Sequence, residues 1–381
     1  MRTVLTNARL YTPFDIVEPA TVVIENGRVK KVYEGREENG IDLEGKILAP
    51  GFVDTHIHGC CGYDTNDGTA ESLLRMSESL VRYGVTSFIP TTVTASHEEL
   101  LRASRAVAEA MKAQERELRG ARILGLHLEG PYINVEAKGA QNPAFIRKSD
   151  FEEFLEYWRA SEGNIREITV APEVEGALEF IERVTELGVI VQIGHTRATY
   201  EETKRGILAG ARKATHLFNA MRGFHHREPG TVGACLESEG VYLELICDLI
   251  HVSPTAIRLV YRLAGPERVV LITDAISATG LPDGRYELGG LKVVVKDGVC
   301  RLEDGTLAGS TLTLDRAIRN LVKIGIPLRD ALIMATATPA RALGREDIGI
   351  IRPGSRADFV VLNEKLEVEE TYVAGRRVFE G

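Results

Sequence analysis

The sequence lacks any pattern of paired cysteines. Its five cysteines, Cys60, Cys61, Cys235, Cys247 and Cys300, are odd in number and contain no C-x-x-C spacing, so neither a disulfide framework nor a zinc ribbon is indicated. No run of about 18 apolar residues is present, the length a helix needs to cross a bilayer. The first residues, Met1-Arg2-Thr3-Val4-Leu5-Thr6-Asn7, include no apolar export segment. These absences together lead to the expectation of a cytosolic protein that engages no membrane. Positive charge is also in deficit, with 46 Lys and Arg against 55 Asp and Glu and a net charge of −9. Nucleic acid is therefore not an expected partner, because binding its backbone requires a clustered positive surface. A small phosphorylated ligand needs only about two or three local cations and remains compatible.

The 381 residues, 44% apolar and 27% charged, have the composition of an ordinary globular protein, with length for one large α/β barrel and a minor second domain. Eight apolar runs ending in polar residues, at 51–57, 86–90, 122–128, 167–171, 189–193, 214–217, 242–247 and 269–272, alternate with helical stretches. Candidate helices lie at 71–83, 97–118, 151–160, 177–187, 200–209 and 254–263. That alternation predicts parallel βα units closing into a (β/α)8 TIM-type barrel. A hairpin is predicted over 289–303, followed by helices over 310–324 and 328–335. Both ends read as short strands around turns, at 3–10, 20–25 and 28–33 and again at 358–362, 371–373 and 376–379. Neither end is long enough to bury a core alone. The expectation is a discontinuous β-sandwich formed by residues 1–49 and 346–381 beside a barrel of residues 50–345.

The C-terminal ends of barrel strands converge on one face, and here they carry metal-ligating residue types. The first ends in His56-Ile57-His58, the third in His127-Leu128-Glu129, the fifth in His195, the sixth in His216, the seventh in Asp248 with His251 beyond, and the eighth in Asp274. A single histidine at a strand end is commonly a satisfied structural residue. Residues two apart on a strand face the same side, so His56 and His58 reach toward one ion. So many imidazoles and carboxylates buried together require a cation to neutralise them. Glu129, taken alone, could equally be an ion-pair partner or a loop cap, but the Gly130-Pro131 that follows it fixes a turn that aims the side chain. With His195 and His216 it makes a three-residue site with a fourth position open. Asp274 follows an apolar strand and reads as a general acid/base or, alternatively, as a group that orients a histidine.

The stretch Ile47-Leu48-Ala49-Pro50-Gly51-Phe52-Val53-Asp54-Thr55-His56-Ile57-His58-Gly59 resembles the first-strand signature of the amidohydrolase superfamily. His127-Leu128-Glu129-Gly130-Pro131-Tyr132, Gly194-His195-Thr196, Thr215-His216-Leu217-Phe218-Asn219-Ala220-Met221, Thr273-Asp274-Ala275, Pro339-Ala340-Arg341 and Gly354-Ser355-Arg356-Ala357-Asp358 resemble, in order, the N-acetylglucosamine-6-phosphate deacetylase family within it. The resemblance spans the chain. It implies Glu129, His195 and His216 as the main metal ligands, with His56 and His58 available to a second ion. It further implies Asp274 as the catalytic acid/base, and Ala140, Gln141, Asn219, Ala220, Arg227, His251, Leu307, Ala308 and Gly309 as substrate contacts. His251 would either polarise the acetyl carbonyl or bind phosphate. The Arg227 loop, which would otherwise read as surface charge, would serve a neighbouring subunit's site and so implies a homodimer.

Two features depart from relatives. Gln141 stands where some family members carry histidine, and Val170-Ala171-Pro172-Glu173 stands where many amidohydrolases carry a lysine at the end of the fourth strand, leaving Glu129 to bridge two ions. The His and carboxylate donors suit zinc and also accept iron, manganese or cobalt. The implied reaction is hydrolysis of the acetamide of N-acetylglucosamine 6-phosphate to glucosamine 6-phosphate and acetate. The alternatives are the galacto epimer, a cyclic amide, which the Arg227 loop and the absent lysine disfavour, and a catalytically silent barrel.

Overall fold

The structure is a computed structural model that describes residues 2–381. Eight parallel strand positions form the barrel: Phe52–Ile57, Val85–Thr92, Arg122–Ile123 continued by Leu126–Glu129, Ile165–Val170, Ile190–Ile193, Lys213–Ala214, Tyr242–Ile246 and Val269–Ile272. The ring is closed between the last and first of these by Asp274 N–H donating to His56 O (2.9 Å) and His58 N–H donating to Ala275 O (2.9 Å). The residues that close the barrel are thus the ones the sequence marks for chemistry.

Alternation along the strands sorts side chains to two sides. Leu126 and Leu128, Ile168 and Val170, and Leu243 and Leu245 join the core between strands and helices, with Leu73, Phe154, Phe180, Val184 and Ile257 from the helices. The intervening His127, Glu129, Glu167, Thr169 and Glu244 are buried polar residues. The helices are Ala70–Leu80, His97–Arg116, Phe151–Ala160, Ala177–Glu186, Tyr200–Ala209, Gly230–Glu237 and Pro254–Ala264. After the eighth strand come a three-stranded antiparallel sheet (Gly284–Leu288, Leu291–Lys296, Val299–Leu302) and the helices Leu314–Lys323, Leu328–Ala335 and Ala337–Ala342.

Both ends of the chain meet in one eight-stranded sheet, joined where Ile47–Pro50 pairs antiparallel with Phe359–Leu362. One face of that seam, Leu48, Phe359 and Val361, packs with Leu5, Leu10, Val22 and Ile24 in a separate core. The other face, Ile47, Ala49, Val360 and Leu362, packs into the barrel's outer core. Gly51 stands between the terminal sheet and the first barrel strand because a Cβ there would lie 2.2 Å from Thr86 Oγ1.

Several elements differ from the sequence reading. The third strand is broken at Leu124-Gly125, where Gly125 has φ 146°, a conformation that excludes a continuous ladder. The sixth is only two residues long, because the backbone turns left-handed at His216, Phe218 and Ala220. The hairpin region carries a third strand, Gly284–Leu288. The helices Gly230–Glu237 and Ala337–Ala342 were not expected, since two glycines in the first and Pro339 in the second mask any helical stripe.

Leu48→Ala is expected to lower the free energy of unfolding by about 2–5 kcal/mol through the cavity left in the terminal-sheet core, read by denaturant titration. A second expectation concerns pH. Asp347 accepts from Arg345 (2.8 and 3.0 Å) and Arg356 (2.8 Å). Burial would raise this carboxyl, but the two guanidinium groups outweigh it and hold it well below the usual carboxylate range. A carboxyl with a depressed pKa stabilises the fold above its unfolded value and loses that contribution as pH falls. Asp347→Asn should therefore destabilise by about 1 kcal/mol or less at pH 7, given the partial exposure, and the difference should shrink below about pH 4.

Candidate active site

Two groups of three buried side chains meet at the C-terminal mouth of the barrel: Glu129, His195 and His216, and His56, His58 and Asp274. Local backbone geometry places them. His195, His216 and Asp274 have φ of 46°, 26° and 50°, in the left-handed region that non-glycine residues seldom occupy. Each strand turns sharply at the residue that bears the functional side chain, as expected where a site holds strain that the surrounding fold over-determines. Glu129 is aimed by the turn that follows it, where Gly130 has φ 84° and a Cβ would lie 2.2 Å from Thr94 Oγ1.

Glu129 is the common partner. Its Oε1 lies 3.1 Å from His195 Nε2, 2.9 Å from His216 Nε2 and 3.4 Å from His56 Nε2, and its Oε2 lies 3.4 Å from His58 Nε2. Asp274 Oδ1 is 3.0 Å from His58 Nε2 and 3.6 Å from His56 Nε2. The far sides of three imidazoles are engaged: His195 Nδ1 with Ala137 O (2.9 Å), His58 Nδ1 with Thr91 O (3.0 Å) and His56 Nδ1 with Glu244 Oε2 (3.0 Å). A carbonyl or carboxylate oxygen only accepts, so each of these Nδ1 atoms carries a proton, and in the neutral ring it is Nε2 that turns a lone pair to the mouth.

His195 Nε2 and His216 Nε2 stand 3.2 Å apart, and His56 Nε2 is a buried nitrogen with no hydrogen-bond partner. Lone pairs and carboxylate oxygens packed this closely fit a divalent cation, and the donor set of imidazoles and carboxylates is a borderline one that suits zinc-type ions. The electrostatics agree. Burial pushes the Glu129 and Asp274 carboxyls up, but the imidazoles beside them more than reverse this, holding Glu129 well below and Asp274 below the usual carboxylate range. Burial likewise disfavours charge on His58, yet Asp274 and Glu129 raise it to about 10, and Glu129 and Glu244 raise His56 well above its ordinary value. Without an ion the pocket holds protons where a cation would sit.

A cavity of about 210 Å³ opens over these groups, lined by His58, Glu129, Ala140, Gln141, His195, His216, Asn219, Ala220, His251, Asp274, Leu307 and Gly309, with Val93, Gly139, Leu288 and Thr306. Nearly all the residues singled out from sequence are therefore brought together. Ala308 is fully buried and faces the small apolar cluster around Val293 and Val295 instead. Arg227 does not line the cavity of its own chain; its Nη1 sits 2.8 Å from His226 Nε2 on an exposed loop. Asp248 accepts from His251 Nδ1 (2.6 Å). Burial alone would lower His251, but Asp248 raises it and favours the cation. His127 lies a layer deeper, with Nε2 2.9 Å from Thr169 Oγ1, and burial holds it well below its ordinary value as a neutral ring.

The sequence reading missed Glu167, Lys213 and Glu244, a fully buried charged set beneath the mouth. The signal is that Glu167 and Glu244 are ionisable residues inside short, mostly apolar strands and Lys213 directly precedes an apolar run. Lys213 is a buried barrel lysine, but it stands at the start of the sixth strand and pairs with these carboxylates, not with Glu129. Gln141 also does more than line the cavity. Its Nε2 donates to Glu129 Oε2 (2.6 Å) while its Oε1 accepts from Thr94 N–H (2.6 Å). Gln141→Leu is expected to strand both partners and destabilise the protein by about 1–3 kcal/mol in thermal unfolding.

The chain is similar to known proteins over most of its length. Residues 47–378 match the model of the Amidohydrolase family. A Vibrio furnissii N-acetylglucosamine-6-phosphate deacetylase is 39% identical over 95% of this chain and 91% of its own. An Escherichia coli O157:H7 N-acetylgalactosamine-6-phosphate deacetylase is 40% identical over 88% of each. The structure of a Mycobacterium smegmatis N-acetyl-D-glucosamine-6-phosphate deacetylase variant in complex with N-acetyl-D-glucosamine 6-phosphate superposes with a TM-score of 0.94 at 38% identity, covering 99% of both chains. The Thermotoga maritima N-acetylglucosamine-6-phosphate deacetylase gives 0.91 at 38%, covering 100% of both. The chain belongs to the amidohydrolase family and, within it, to the N-acetylglucosamine-6-phosphate deacetylases.

Proposed function

We propose that this protein hydrolyses the acetamide of N-acetyl-D-glucosamine 6-phosphate to D-glucosamine 6-phosphate and acetate, within amino-sugar catabolism or cell-wall sugar recycling. The observation that carries the reading is the convergence of Glu129, His195, His216 and Asp274 on one cavity, in a chain whose full-length relatives are deacetylases. Glu129, His195 and His216 would hold one divalent ion, and His56, His58 and Asp274 would hold another. When bound, such an ion supplies Lewis-acid activation of water and of the acyl group.

Asp274 lines the cavity with a carboxyl held ionised at neutral pH. It takes the proton of the attacking water as the oxygen adds to the carbonyl carbon, and returns it to the nitrogen as the C–N bond breaks, so the amine leaves neutral. His251, favoured as a cation by Asp248, faces the same cavity and meets either the developing oxyanion or the phosphate. Ala140, Gln141, Asn219, Ala220, Leu307 and Gly309 shape the sugar pocket. The exposed Arg227 loop suits a phosphate contact in a neighbouring subunit's cavity, which makes the working form a homodimer. Zinc is the metal that the donor set fits first. The five free thiols are in keeping with a cytosolic setting.

The gluco compound is the first reading, but the galacto epimer has a specific claim, since one relative at 40% identity is an N-acetylgalactosamine-6-phosphate deacetylase. The test is acetate release from both phosphorylated epimers and from unphosphorylated N-acetylglucosamine, with metal content measured. Fast turnover of the phosphorylated gluco sugar is expected; no turnover of any of them by metal-replete protein overturns the reading. Asp274→Asn should lower kcat at least a thousandfold. His251→Asn separates its two roles: a raised KM at constant kcat marks phosphate binding, and a fall in kcat marks the oxyanion.

A further inference from the structure

We infer that Glu244, fixed by Lys213, is a positioning residue that sets the tautomer of His56 and thereby keeps the second cation place of this barrel open. The inference rests on the metal-dependent reading above and concerns residues that contact no substrate.

Lys213, Glu167 and Glu244 come from three different strands and are all fully buried. Lys213 Nζ lies 2.7 Å from Glu167 Oε1, 2.8 Å from Glu244 Oε1 and 3.3 Å from Thr55 Oγ1. Burying three charges carries a desolvation penalty that well-packed apolar residues of the same volume would avoid, so stability alone is a poor reason for them. What they do achieve is directional. The ammonium carries donors and positive charge only, so the Glu244 oxygen that pairs with it across 2.8 Å cannot be replaced there by an NH2 group.

The other oxygen, Oε2, lies 3.0 Å from His56 Nδ1 and 3.4 Å from the backbone nitrogen of His216. A carboxylate cannot donate, so the proton of a neutral His56 resides on Nδ1 and the Nε2 lone pair points to the mouth. There Nε2 has no hydrogen-bond partner and stands 3.4 Å from Glu129 Oε1 and 3.6 Å from Asp274 Oδ1. A lone pair held against two carboxylates is unfavourable unless a metal cation, or in its absence a proton on Nε2 itself, lies among them. The order of constraint runs from Lys213 to Glu244 to His56 to the ion.

The geometry makes an unusual demand of the isosteric variant Glu244→Gln. Because Lys213 only donates, the new amide must turn its oxygen to Lys213 and its NH2 to His56 Nδ1. Nδ1 then has to accept, the proton moves to Nε2, and the lone pair leaves the mouth. Removing the ammonium frees the amide to rotate, so the neutral triple variant Lys213→Met, Glu167→Gln, Glu244→Gln can again accept from His56 Nδ1.

The experiment equilibrates each protein with zinc alone and counts bound ions per chain by elemental analysis. Wild type is expected to hold two, Glu244→Gln one, and the triple variant to recover the second. One ion in wild type, two in Glu244→Gln at unchanged affinity, or one in the triple variant each overturns the proposal. Should Glu244→Gln fail to fold, nitrogen NMR of histidine-labelled, zinc-loaded wild type decides: a proton on His56 Nδ1 sustains the proposal, and one on Nε2 overturns it. Acetate release by wild type tests the deacetylase reading separately, so failure of either is distinguishable from failure of the other.

Discussion

The structure turns on one carboxylate. Glu129 is buried, faces four imidazole nitrogens, and is clamped from behind by Gln141. An isolated carboxylate in that position would be strongly disfavoured, and four unshared imidazole lone pairs would be little better. Together they form a pocket whose charge is balanced only by protons or a cation. Ring closure of the barrel depends on the same place, since the backbone bonds that join its last and first strands belong to His56, His58, Asp274 and Ala275. Geometry for chemistry and geometry for folding are therefore the same constraint here.

Strain is distributed in keeping with that. Three of the six mouth residues hold left-handed backbone angles, conformations that cost about 1–3 kcal/mol each. The apolar layer between strands and helices, and the second core in the terminal sheet, supply the stability that offsets them. The terminal sheet contributes directly, because alternate residues of Ile47–Pro50 and Phe359–Leu362 face both cores and tie the two ends of the chain to the first barrel strand.

Inside the barrel the polar residues form layers. The upper one holds Glu129, the four histidines and Asp274, all but His56 lining the cavity. The lower one, with Glu167, Lys213 and Glu244, is fully buried and forms ion pairs, with His56 joining Glu244. Burial pushes Glu167 up to about 7 despite Lys213, whereas Lys213 and His56 draw Glu244 well below its ordinary value, so of the two carboxylates it is Glu244 that stays firmly ionised beneath His56. Such a foundation fixes ring orientation above it in a way that an apolar filling, which has no preferred direction, does not.

The barrel, its eight strand positions, most of its helices and the residues at the mouth were legible in the sequence, because burial on both strand faces and the punctuation of six of the eight runs by His, Glu or Asp are local patterns. So was the pairing of the two ends, from the strand-like texture of each. What the sequence did not disclose follows from contacts between distant positions. The early stop of the sixth strand comes from backbone turns that only the packed mouth enforces, and the clamp of Gln141 on Glu129 joins a loop to a strand end with no common signature. Ala308 turned to an apolar cluster because a family motif fixes a position in the chain, not the direction of a side chain. The ion network of Glu167, Lys213 and Glu244 remained hidden for the same reason: one charge in an apolar strand looks like an anomaly until three strands bring three of them within 3 Å. By itself the sequence determined which residues could perform the chemistry. Only the tertiary structure decided which nitrogen of His56, His58 and His195 faces the mouth, since that depends on acceptors, Glu244, Thr91 and Ala137, contributed by distant segments.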